Sequence, residues 1–167
     1  MKARPLLGVS LLAGAVMLSD QTVKAVVRTH LQASSGVEVI DGFLALRLGL
    51  NRGVAFGLLA GLALEWQWLV ALLPLLALVA LARMALPVVL TGGWLTVGAI
   101  GLILGGALSN LVDRARFGGV VDFIDVYWRD YHWPAFNLAD AAITVGVGLF
   151  AALTMVPDQQ RRSGGFR

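Results

Sequence analysis

Five ionisable residues stand where an otherwise apolar chain has little room for charge: Asp20, Asp113, Arg114, Asp122 and Asp140. A charge at membrane depth costs on the order of 2.5 to 3.5 kcal/mol by insertion scales, so each must be paired or used. Asp122 lies in Gly118-Gly-Val-Val-Asp-Phe-Ile124 and Asp140 in Phe136-Asn-Leu-Ala-Asp140. An apolar frame raises a carboxyl's pKa by penalising its charged form, and a second carboxylate nearby raises it further. Two such groups can serve one reaction as general base and general acid; the same pattern also serves structural networks and ion pathways, and spacing alone leaves these alternatives open. Asp20 and Lys24, at i and i+4 with the acid first, read as a neutralising helical pair. Asp113 and Arg114 read as a second structural pair, with Arg114 also placed to reach a substrate carbonyl.

Other chemistries fall away on residue types. Zero Cys removes thiol nucleophiles, thiolate metal sites and disulfides. Two His, His30 and His132, are too few and too far apart for a histidine-built metal site, so neither metal nor cofactor is expected. The HExxH, Gly-x-Ser-x-Gly, P-loop and dinucleotide patterns are all missing, and none of the six Ser has a plausible His partner.

The surroundings of these residues set the class. Of 167 residues, 58% are hydrophobic and only 14% charged, against roughly 25% charged in a soluble domain. A water-soluble globule of this size could not hide so much apolar side chain. The composition excludes a soluble enzyme, a disordered tail and a nucleic-acid module. The formal charge is only +3, and no basic run exceeds Arg161-Arg162, so no nucleic-acid partner is expected.

Crossing about 30 Å of hydrocarbon takes roughly 20 helical residues. Charge-free stretches run over Pro5–Ser19, Trp66–Ala82, Met84–Val112 and Ala141–Pro157. Pro87 and Thr91-Gly92-Gly93 confine the third helix to the part from Trp94 onward. The spacing predicts helices over about 5–27, 63–83, 94–112 and 138–156, with a connecting loop around Arg83. The first reads as an uncleaved anchor, since no small-x-small site ends its apolar run. Gly101 and Gly105 form a face suited to close helix packing. Over 36–56, Val37-Glu-Val-Ile40, the Asp41-Gly42 turn pair and leucines alternating from Leu44 to Leu50 predict a small β element. The chain thus reads as an all-α polytopic membrane protein, one domain over 1–167, with four transmembrane helices and a small extracytoplasmic β subdomain. Basic residues divide six to seven between the two sides. Their clustering in the short tails beside the spans places the termini in the cytoplasm, and nine of the ten acids then fall toward the far side.

Five blocks, in order, are Asp20-Gln-Thr-Val-Lys24, Asn51-Arg-Gly-Val-Ala-Phe56, Gly105-Gly-Ala-Leu-Ser-Asn-Leu-Val-Asp-Arg114, Val120-Val-Asp-Phe-Ile124 and Phe136-Asn-Leu-Ala-Asp140. Together they resemble the bacterial lipoprotein signal peptidase family, signal peptidase II. Ser109 and Arg52 depart from the family's commonest form, where Gly and Thr are usual; both bear on packing or the rim of the site. The resemblance implies an aspartic endopeptidase of the bacterial cytoplasmic (inner) membrane. Its substrates would be diacylglyceryl-prolipoproteins, cut on the amino side of the lipidated cysteine, with membrane lipids as surroundings and a monomer as the working form. It implies Asp122 and Asp140 as the catalytic dyad. Asn51, Asn110, Arg114 and Asn137 would line or support the site, and Asp20 and Lys24 would be a structural motif of the first helix. The competing class is a non-catalytic transporter or assembly factor. A presenilin-type protease is disfavoured because its Gly-x-Gly-Asp block is missing.

Overall fold

The computed structural model describes residues 3–31, 36–53 and 67–155. Four helices are present, α1 (Ala3–His30), α2 (Gln67–Thr91), α3 (Trp94–Phe117) and α4 (Leu138–Met155), with strands β1 (Val37–Ile40), β2 (Leu44–Asn51), β3 (Val120–Trp128) and β4 (Tyr131–His132). Among the described residues, three helical stretches, Arg4–His30, Trp94–Phe117 and Leu138–Met155, are long and apolar enough to cross a membrane, and α2 adds a shorter apolar stretch, Leu75–Thr91.

The bundle is apolar outside and polar at points inside. Leu11 and Leu18 are about two-thirds exposed, whereas Asp20, Asp113 and Asn137 are fully buried. A soluble fold reverses that arrangement; a lipid-facing one requires it. Helix α3 sits at the centre, packed against the other three helices. Its adjacent glycines make the close approaches possible. A Cβ on Gly105 would stand 2.7 Å from the Ala13 carbonyl oxygen of α1, and one on Gly106 would overlap the Ala139 backbone of α4. The small-residue face read from Gly101 and Gly105 therefore packs on α1, where Leu12 crosses Gly101.

Helix α2 does not stop near Arg83. It runs through Pro87 to Thr91, so Arg83 lies within a helix and the connection to α3 is Gly92-Gly93. An internal proline costs about 3 kcal/mol or more through its lost hydrogen bond and ring clash. Packing outweighs it here, since Ala85 and Val89 flank Pro87 and are buried against Val9 and Ile100. Helix α3 likewise passes 112 and ends at Gly118, whose left-handed φ of 69° lets its N–H reach the Arg114 carbonyl at 3.0 Å. Residues 54–56 and 63–66 lie outside the described residues, as does 156.

The sheet is larger than the sequence reading. All strand pairs are antiparallel, in the order β1-β2-β3-β4. Strands β1 and β2 form the expected hairpin, turning at Gly42 with φ 70°. Strand β2 then pairs along β3, which follows α3, with Gly49 opposite Asp122 and Asn51 opposite Val120. The segment after α3 is thus a strand of nine residues and not a mere helix flank. This pairing carries Asn51 to the ends of α3 and α4.

Candidate active site

Two layers of hydrogen bonds organise the helix ends that lie beside the sheet. The deeper layer is ionic. Lys24 Nζ lies 2.6 Å from Asp20 and 2.8 Å from Asp113, all three essentially inaccessible. Asp113 also accepts from Gln21 Nε2 at 2.7 Å and from the Val121 N–H of β3 at 3.0 Å. Asp20 accepts from Ser109 Oγ at 2.7 Å and from the Ala139 N–H of α4 at 3.1 Å. One lysine and two carboxylates therefore tie together α1, α3, β3 and the start of α4. The expected Asp20–Lys24 pair is part of this larger group. The expected Asp113–Arg114 pair is not formed: successive helical residues point about 100° apart, so Asp113 faces α1 while Arg114 turns elsewhere.

The second layer holds Asp122 and Asp140. Asn137 immediately precedes α4, and its Oδ1 accepts the Asp140 N–H at 2.8 Å while Asp140 Oδ2 accepts the Asn137 N–H at 3.4 Å. This reciprocal cap satisfies donors that a helix start leaves open. The same Asn137 points its amide at Asp122, with Nδ2 to Oδ1 at 2.7 Å. Asn51 Nδ2 donates to the other Asp122 oxygen at 3.2 Å, and its Oδ1 takes the Gly53 N–H at 3.0 Å, which fixes the direction of the amide. Asn110 Nδ2 donates to Asp140 Oδ1 at 2.8 Å, its own Oδ1 accepting from Lys24 at 3.2 Å and Asn137 at 3.3 Å. Each carboxylate is thus oriented by asparagine amides, and Asn137 touches both.

Burial raises the Asp122 pKa, the charge of Asp140 raises it further, and the Asn51 and Asn137 hydrogen bonds and the Lys24 charge pull it back, leaving it at about 6. A carboxyl in that range exchanges its proton near neutral pH. Arg114 reaches the Asn110 and Gly53 carbonyls with long bonds of 3.4 and 3.3 Å, and its buried Nε has no partner among the described residues. Beside these groups lies a cavity of 810 Å³. Asn51, Asn110, Arg114 and Asp140 form its polar end; Leu78, Leu81, Ile103, Ile143 and Val145 form apolar walls from α2, α3 and α4. Asp122 stands one hydrogen bond behind that wall, through Asn51.

Asp122, Asp140, Asn51, Asn110 and Asn137 therefore lie in one hydrogen-bonded group, with Arg114 beside it and Asp20 and Lys24 beneath it. Of the other members, the sequence reading does not single out Gln21, sets Ser109 in packing or at the rim, and pairs Asp113 with Arg114. A signal for two of them exists: Gly101, Gly105, Ser109 and Asp113 follow one another at intervals of four and continue the face that packs on α1. Ser109 is a buried link of the ionic layer, not a rim residue.

The family model described as Signal peptidase (SPase) II matches residues 12–156. The lipoprotein signal peptidase of Syntrophus aciditrophicus (strain SB) is 41% identical over 160 residues, covering 96% of this chain and 99% of that protein. The lipoprotein signal peptidase of Nitratidesulfovibrio vulgaris (strain DP4) is 44% identical over 168 residues, covering 96% of each. A bacterial membrane enzyme solved by the in meso method at 2.3 Å resolution superposes with a TM-score of 0.73 at 30% identity, over 88% of this chain and 87% of that one. With the matched model spanning most of its length, the chain belongs to the signal peptidase II family.

Proposed function

We propose that this protein removes signal peptides from diacylglyceryl-modified prolipoproteins, cleaving on the amino side of the lipidated cysteine, with Asp122 and Asp140 as the catalytic pair. The observation that carries the reading is the pair of carboxylates bridged by Asn137, its Nδ2 on Asp122 and its backbone N–H on Asp140, at the polar end of an apolar cavity, in a chain whose relatives are lipoprotein signal peptidases. Peptide hydrolysis needs a base for water and an acid for the amide. The two carboxyls share one proton. The ionised member takes a proton from water as its oxygen bonds to the scissile carbonyl carbon, while the protonated member donates to the carbonyl oxygen. The tetrahedral intermediate collapses when the amide nitrogen receives a proton from the dyad and the C–N bond breaks. The pair titrates as a unit, so the base role belongs to the dyad. Arg114, whose Nε has no partner among the described residues, and the amides of Asn51 and Asn110 hold peptide carbonyls. The asparagine N–H donors aimed at both acids favour a carboxylate over a bound cation, which supports a reaction without metal or cofactor.

The same reading takes α1 to α4 as four spans of the cytoplasmic membrane in a single domain and a monomer, with cytoplasmic termini and the dyad toward the other face. The parallel course of α1 and α3, in contact from Leu12 with Gly101 through Asp20 with Ser109 to Arg28 with Phe117, supports that alternation. Lipid anchoring makes encounter a search in the membrane plane and presents the cysteine at the level of the dyad. Purified protein in bilayers, given prolipoprotein with and without diacylglycerol at equal concentration, should cut the modified form far faster. Equal rates would assign it instead to general membrane proteolysis.

A further inference from the structure

Helices α1 and α3 run side by side and finish together beside the sheet, and their last turns carry Arg28 and Arg116. The Arg28 guanidinium carbon lies 3.7 Å from the Phe117 ring centroid, and that of Arg116 lies 5.1 Å from the same centroid. Both arginines are exposed, and among the described residues neither has a carboxylate partner. The ring face and the two helix C-termini draw cations there. Neither removes the mutual repulsion of two like charges on one ring, whereas an anion between them would.

The level of the pair identifies the anion. Helix α1 has 28 residues and at 1.5 Å per residue is about 42 Å long, against about 30 Å of hydrocarbon, so its last turn reaches the headgroups. A phosphodiester there offers one negative charge and two free oxygens, and guanidinium forks bind phosphate oxygens in pairs. We propose that Arg28 and Arg116, held on Phe117, form a binding site for the phosphate of an anionic phospholipid in the leaflet that holds the sheet. The site lies outside the hydrogen-bonded group of Asp122 and Asp140 and does not rest on the peptidase reading.

The test is native mass spectrometry of the full chain in nonionic micelles titrated with dioleoylphosphatidylglycerol. Arg28→Gln/Arg116→Gln should weaken the first bound lipid by about tenfold, as expected for losing two charge-assisted contacts. Arg4→Gln/Arg83→Gln removes equal charge from exposed positions elsewhere and should change it by less than about twofold. Arg28→Lys/Arg116→Lys, which keeps charge and loses the fork, should fall between the two. Equal weakening in both glutamine pairs, or none in the first, would overturn the site. Inorganic phosphate alone is the remaining arm: an arginine-dependent adduct of affinity equal to the lipid's would assign the pair to a soluble anion and overturn the lipid assignment.

Discussion

Asn137→Ala separates two jobs that one side chain performs. Its Oδ1 caps α4 through the Asp140 N–H, and its Nδ2 donates to Asp122 at 2.7 Å. Losing an N-cap costs about 1 kcal/mol. A hydrogen bond to an ionised group is worth about 1.5 to 3 kcal/mol, which at 1.36 kcal/mol per pKa unit moves the carboxyl by one to two units. Asn51 remains on the other oxygen and can tighten, so a rise of about one unit is expected. Because the lost bond favoured the charged form, the Asp122 pKa moves upward from about 6. The alkaline limb of kcat/KM, where the dyad loses its shared proton, followed from pH 4.5 to 9 with a diacylglyceryl-cysteine peptide, should shift toward higher pH by about one unit. Asn137→Ser is the control, since a serine hydroxyl restores the cap and is too short to serve Asp122. It should recover most of the lost thermal stability and keep the shifted limb. A uniform fall in rate at every pH in both variants, with the limb unmoved, would refute the assignment of Asn137 to the carboxylate.

Lys24→Met leaves two buried carboxylates without their cation, a change of about 3 to 5 kcal/mol that should lower Tm sharply; Asp20→Asn/Lys24→Met/Asp113→Asn should recover much of it. If the single and triple variants unfold alike in calorimetry, the ionic layer is not what joins the helices. The folded Asp122 pKa of about 6 stands above the ordinary 3.8, so the folded state binds more protons between these values and stability should fall as pH rises from about 4 to 6. Asp122→Asn should flatten that segment of the stability curve, and an unchanged slope would contradict the raised pKa. Asp125 occupies the opposite face of β3 from Asp122 and pairs with Arg47 at 2.9 Å and His132 at 2.9 Å. Asp125→Asn should keep most of the cleavage rate, and its loss with Asp122→Asn active would mean the wrong acid had been chosen.

Several features of the architecture were legible because they follow from local periodicity or from solvation. Apolar runs of membrane length mark the helices, the Asp41-Gly42 turn marks the first hairpin, and carboxylates in apolar frames mark two members of the hydrogen-bonded group. What escaped depends on nonlocal partners. Val120 to Trp128 is rich in β-branched and aromatic residues and follows Gly118-Gly119, a strand signal hidden by its place between two helices. Its partner β2 lies about 70 residues earlier, beyond the reach of a local pattern. Arg83 ends the expected second helix because it interrupts an apolar run, but burial of Ala85 and Val89 carries α2 past it and through Pro87. Asp113 was paired with its sequence neighbour Arg114, although the helical four-residue stripe turns it toward Lys24 on α1. The asparagines could be named from the resemblance; that Asn137 serves both acids follows only from the cap geometry.

Asp122 and Asp140 are expected to deliver water to the bond before a lipidated cysteine. Purified protein should be incubated with diacylglyceryl-prolipoprotein in ¹⁸O-labelled water and both products weighed. Wild type should release a signal peptide carrying one ¹⁸O in its new carboxyl group and a lipoprotein beginning at the lipidated cysteine with a free amine, while Asp122→Asn and Asp140→Asn each release neither. Cleavage at that bond by either variant at the wild-type rate would contradict the account.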